Sequence, residues 1–156
     1  VQEAAVSAMA VLEEEARMVL MPHVPTILQV YAQAFSKYQA KNLIILYDAC
    51  GTLADSIGKE LMRPDLVNLM LPPLLAKWES LKDEDKSLFP MLECLSSVVQ
   101  AVGPSFAHYA QPVFNRSIHL IGVALESQEK DPYNSLEDEY IVCSLDLVSG
   151  MAEGLA

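Results

Sequence analysis

Carboxylates recur at seven-residue spacing in this 156-residue chain, as Asp48 with Asp55 and Asp146 with Glu153, while Glu93 is followed seven positions on by Gln100. A helix of 3.6 residues per turn returns to nearly the same azimuth after two turns, so each pair lies on one stripe. Such a stripe can hold cations, taking an arginine fork in bidentate fashion or a lysine as a point charge. Nucleophilic, phosphate-binding and metal-binding signatures are absent: there is no GxSxG, P-loop, GxGxxG or HExxH string. His23, His108 and His119 have no third ligand at usable spacing, and Cys50, Cys94 and Cys143, 44 and 49 residues apart, match no zinc motif. General acid–base chemistry needs a desolvated carboxyl, and outward-facing acids are solvated. The expectation is a binding protein, not an enzyme, with no cofactor and no metal.

Helices must position these acids. Hydrophobic residues make up 52% and charged residues 20%, ample for a core and incompatible with disorder. Leu, Ala and Met are plentiful and aromatics only 7%, which favours helix over sheet. Twenty-one acids against ten bases give a net charge of −11. That excess argues against direct nucleic-acid or anionic-membrane binding, which rests on Lys and Arg, and suits a basic partner. No apolar stretch spans a bilayer, since Leu66–Ala76 is broken by Asn68 and Pro72-Pro73. With three scattered cysteines and no basic leader, the chain reads as a soluble intracellular protein.

Internal similarity organises the elements. Ser7, Gly51, Ser96 and Ser149 are each followed two positions later by an apolar residue (Met9, Leu53, Val98, Met151), at offsets of 44, 45 and 53. Between them lie proline-led units, Pro22–Phe35, Pro64–Leu81 and Pro104–Glu126, with inner prolines at Pro25, Pro73 and Pro112. Two alternating helix types at such a period are the signature of a HEAT-type α-solenoid. The predicted fold is all-α, a right-handed superhelical stack of antiparallel helix pairs. Its B helices fall at 1–16, 41–58, 86–102 and 137–155, and its A helices at 22–37, 64–81 and 104–127. The repeats are roughly 1–16 (partial), 22–58, 64–102 and 104–155, one segment of a longer solenoid. Ser127–Ser135 is the predicted longest loop.

The B-helix faces can be assigned. With Leu53 toward the core, Leu46, Ala49, Cys50 and Ile57 share its side, while Asp48 and Asp55 lie at about −140° and +160°. The matching positions in later B helices are Glu93 with Gln100 and Asp146 with Glu153, so five of six outward positions are acidic. In HEAT arrays the B helices line the concave, ligand-binding side. A solvated acidic face is the plain alternative. Trp78, the only tryptophan, ends an A helix beside Lys82-Asp83-Glu84-Asp85-Lys86. It reads either as a core anchor or as a partly exposed binding platform. Tyr31, Tyr38, Tyr47, Phe89, Phe106, Phe114 and Tyr140 read as packing residues, and the cysteines as buried, inert thiols.

Several strings carry a family likeness: Ala34-Phe35-Ser36-Lys37-Tyr38-Gln39, Leu46-Tyr47-Asp48-Ala49, Gly51-Thr52-Leu53-Ala54-Asp55, Pro72-Pro73-Leu74 with Lys77-Trp78, and Leu92-Glu93-Cys94-Leu95-Ser96-Ser97. With Leu12-Glu13-Glu14-Glu15-Ala16 and Ala152-Glu153-Gly154-Leu155, they closely resemble the karyopherin-β2 branch of the importin-β family, nuclear import receptors built of HEAT repeats. The resemblance covers nearly the whole chain, is weakest over 105–140, and fits a central slice of such a receptor.

That resemblance implies a function. The branch carries cargo, RNA-binding proteins included, whose disordered basic signal ends in a Pro-Tyr pair. Ran-GTP releases the cargo in the nucleus, and nucleoporins are met on the way, so the protein shuttles between cytoplasm and nucleus. The family's cargo-contacting tryptophan and its apolar neighbour are matched to Trp78 and Leu75, with Leu43 added near the start of a B helix. Asp48, Asp55, Glu93, Asp146 and Glu153 follow from the stripe. Trp78→Ala is therefore expected to weaken cargo binding without unfolding the chain. The family's long acidic loop and Ran-gripping N-terminal repeats have no counterpart in these residues. The alternative is a HEAT scaffold that joins proteins without transport.

Overall fold

The computed structural model describes residues 1–131, 133 and 135–156, without the side chains of residues 135–137. Among the described residues there are eight α-helices and no strand: α1 (Gln2–Glu15), α2 (Arg17–Leu20), α3 (Val24–Lys37), α4 (Ala40–Ile57), α5 (Pro64–Ser80), α6 (Leu88–Val102), α7 (Ala107–Lys130) and α8 (Ser135–Leu155). Short 3-10 turns at Met21–His23, Gly58–Met62 and Gly103–Phe106 lead into the A helices. Pro64 opens α5, where its fixed φ suits a first turn and its missing N–H costs nothing. Pro72, Pro73 and Pro112 lie inside α5 and α7, and both helices run on through them.

Two joints repeat. α4 ends at Gly58 with φ 51° and ψ −130°, and α6 ends at Gly103 with φ 52° and ψ −131°. The two glycines are 45 residues apart, the same offset that separates Gly51 from Ser96. A Cβ is disfavoured at this φ, so glycine lets the chain turn from a B helix into the next A helix without strain.

The helices form two layers. α1, α4, α6 and α8 pack on one another in succession, α3 packs on α5, and α7 packs on α8. The predicted core stripe of α4 is sealed: Leu46, Ala49, Cys50, Leu53 and Ile57 are buried at 0–1% exposure. Each such leucine or isoleucine contributes about 1.5–3 kcal/mol through lost contact with water. α6 and α8 approach closely enough that a Cβ on Gly154 would lie 2.9 Å from the Val99 carbonyl oxygen. This is the all-α HEAT-type helix stack expected from the period.

Three details differ from expectation. α7 continues to Lys130, so most of the predicted loop from Ser127 is helical. Leu125–Lys130 contains only residues that tolerate helix, and no breaker occurs before Pro132. Pro132 and Asn134, within that predicted loop, lie outside the described residues. The longest interval between α-helices is instead Leu81–Ser87. Phe114, expected in packing, is 40% exposed on α7.

Candidate functional site

The acid stripe assembles on the B-helix layer. Asp48, Asp55, Glu93, Asp146 and Glu153 are all exposed, on the side of α4, α6 and α8 away from their buried stripes. Asp48 and Asp55 of α4 and Glu93 of α6 line one depression of about 120 Å³, with Tyr47, Thr52 and Ser97. Ser97 Oγ donates to Asp55 Oδ2 at 3.2 Å across the α4–α6 seam, and Ser96 Oγ donates to the Asp146 carbonyl oxygen at 3.3 Å across the α6–α8 seam. Cys143 of α8 is half-buried, and its thiol is pushed up to about 11, first by burial and then by Glu93, Asp146 and Glu139 around it. Glu93 and Asp146 therefore share one negative environment. Glu153 stands two turns further along α8, accepting from Ser149 of its own helix at 3.4 Å.

No member of this set has a cationic partner among the described residues. The ion pairs among the described residues are Arg63–Asp65 and Arg116–Asp83, both elsewhere, with His119 Nε2 3.6 Å from Asp83. Unpaired carboxylates on adjacent helices repel one another and gain most from an external cation. Sequence reasoning missed Thr52, Ser97 and Glu139. Glu139 lies seven residues before Asp146, so the same spacing that produced the stripe could have found it.

The aromatic and apolar members of the expected set are largely enclosed. Trp78 is 3% exposed, Leu75 7% and Leu43 6%, so none presents a platform to solvent. Trp78 and Leu75 lie on α5, in the other layer from the acids. There they border a groove of about 560 Å³ between α5 and α7, with Pro72, Tyr109, Pro112 and Arg116. The reason is Arg116 of α7. Its guanidinium carbon stands 4.4 Å from the Trp78 ring centroid. Nη1 donates to the Trp78 carbonyl at 2.6 Å and Nη2 to the Leu81 carbonyl at 2.5 Å, while Nε and Nη2 hold Asp83 Oδ1 at 2.9 and 2.7 Å. One side chain thus caps the last carbonyls of α5, fixes the acidic turn and covers the indole. Nothing in the spacing of single residues reveals that Arg116 reaches back 38 positions to Trp78.

Glu13 was also missed as an individual residue. It sits on the core stripe of α1 with Val6, seven residues before it, and is 1% exposed. Tyr31 Oη of α3 donates to Glu13 Oε1 at 2.6 Å. Glu13 Oε2 has no hydrogen-bond partner. Cys50 and Cys94 are buried as expected, and burial first, then Cys94, holds the Cys50 thiol well above the ordinary range. No cluster of His, Cys, Asp and Glu among the described residues could hold a metal ion, and no helix there is long and apolar enough to cross a membrane.

Stacked helix pairs in two layers define the class as a HEAT-type solenoid segment, with an acid stripe along its B helices. No family profile matches the chain. Among curated proteins it is 50% identical over 160 aligned positions to human transportin-1 and 52% identical over 157 to transportin-1 of rice (Oryza sativa subsp. japonica). It is 43% identical over 159 positions to importin subunit beta-2 of Schizosaccharomyces pombe. Each match covers 99% of this chain and 18% of the relative. Along almost its whole length the chain is thus similar to one segment of the transportins and importin beta-2 proteins, spanning under a fifth of their length.

Proposed function

We infer that the chain is a segment of a nuclear import receptor whose part is to hold a basic, extended stretch of cargo along the B-helix acids. One observation carries this reading: five outward carboxylates on three adjacent helices, none of them ion-paired. Their names being transportin and importin subunit beta-2, the relatives supply the transport context. A disordered basic peptide loses conformational freedom on docking, and charge-assisted hydrogen bonds to the acids offset that loss. Cargo with a basic Pro-Tyr localisation signal, release by Ran-GTP, contact with nucleoporins and shuttling between nucleus and cytoplasm complete the reading for the whole receptor. With Trp78, Leu75 and Leu43 enclosed, the basic part of the signal is the part this segment holds.

Titration of a fluorescent basic Pro-Tyr peptide tests it. Asp48→Asn, Asp55→Asn and Glu93→Gln combined should weaken binding on the order of 10- to 100-fold, since each charge-assisted contact contributes about 1 kcal/mol or more. Raising salt from 50 to 500 mM should weaken the unaltered chain in the same direction, because exposed charges are screened. Affinity unmoved by both would leave a scaffold that solvates its acids and carries nothing on them.

A further inference from the structure

Three neighbouring acids, Glu13-Glu14-Glu15, diverge in environment: Glu14 and Glu15 are exposed, whereas Glu13 is sealed where α1 meets α3 and α4. The groups around Glu13 can be named element by element. Tyr31 of α3 gives it a single hydrogen bond at 2.6 Å, and Tyr31 is in turn beside Tyr38. α4 packs directly on α1 and brings the Asp48 carboxylate, whose charge disfavours ionisation of Glu13, and the buried Cys50 thiol, which Glu13 raises in turn. Arg17 of α2, four residues along, is exposed and makes no ion pair with it. One carboxylate oxygen is therefore bonded to a phenol, the other has no hydrogen-bond partner among the described residues, and the charge that acts on the group is negative.

We propose that Glu13 is a proton-binding site coupled to the acid face through Asp48, so that a cation docking on Asp48 expels the Glu13 proton. A proton on Oε2 removes the uncompensated charge while Oε1 keeps its bond from Tyr31. Burial in the first place, with Asp48 adding to it and the Tyr31 bond opposing, raises the Glu13 carboxyl to about 7. A guanidinium or ammonium on Asp48 cancels the charge that helps to keep Glu13 neutral. By linkage, deprotonation of Glu13 must strengthen cation binding by the same factor. The acid face then holds basic peptides more tightly as pH rises through neutrality. This rests on the reading of that face as a cation-binding surface, but the proton site itself does not.

The test uses the 156-residue chain with carboxyl-13C glutamate. The Glu13 resonance, assigned by its loss in Glu13→Gln, should titrate near pH 7 instead of near 4.5, and Asp48→Asn should lower that midpoint measurably. A deca-arginine peptide measured calorimetrically at pH 7 in two buffers of different ionisation enthalpy should release a fraction of a proton. Its affinity should rise about 5-fold from pH 6 to 8, at the lower end of typical couplings. Glu13→Gln should abolish both the release and this pH dependence. A Glu13 midpoint below 5.5 overturns the proton site whatever the peptide does. A midpoint near 7 that Asp48→Asn leaves in place overturns the coupling. Should the midpoint respond to Asp48→Asn while deca-arginine fails to bind at any pH, the cation-binding reading fails and the linkage to ligand falls with it.

Discussion

Two charged regions of this chain use the same residue types for opposite ends. On the α5–α7 side, Asp83 meets Arg116 at 2.7 Å, and the same guanidinium covers Trp78 and caps two carbonyls. On the α4–α6–α8 side, Asp48, Asp55, Glu93 and Asp146 meet no cation. In the first region charge is consumed internally and the aromatic ring is enclosed. In the second it has no internal counter-charge among the described residues. An acid or a tryptophan in the sequence is thus not a binding residue by type; whether a partner already sits beside it decides.

Substitutions should separate the regions by what they damage. Trp78→Ala empties a buried, ring-sized volume and should destabilise the chain by about 3–5 kcal/mol, read from urea unfolding. A loss under 1 kcal/mol would mean that the indole is not the anchor its burial indicates. Arg116→Ala removes charge-assisted bonds from a side chain only 19% exposed, and should cost about 1.5–3 kcal/mol, with Arg116→Lys restoring only part because a point charge cannot fork. Complete rescue by lysine would reduce the clamp to simple charge pairing with Asp83. Asp55→Asn should change stability by no more than about 0.5 kcal/mol, since an exposed residue lacking an ion pair loses little. A stabilising sign would sharpen the contrast, showing carboxylate repulsion relieved at a stability gain.

Much of the architecture was legible in the sequence because it rests on period. The core stripe through Leu46, Cys50, Leu53 and Ile57 and the outward set through Asp48 and Asp55 both follow from 100° per residue. Gly58 and Gly103, equally periodic, were there to be read as joints and went unread. The surroundings of Trp78 were not legible, for a different reason. Its environment is set by Arg116, on another helix and 38 residues away, and no local pattern encodes that meeting. Glu13 shows the converse: its place on the stripe of Val6 is periodic, but its charge argued for the surface. Which acids stand free is likewise a statement about absent neighbours, visible only once the chain is folded.

The interval between Ser96 and Ser149 is longer than that between Gly51 and Ser96, at 53 against 45 residues. α7 supplies part of the excess, running 24 residues where α5 runs 17, while α6 and α8 stay packed together. α8 is longer as well, 21 residues against 15 in α6, so the extra length falls on both layers and the connections between them shorten. A longer repeat is thus accommodated by extending both of its helices, with the α6–α8 seam kept closed.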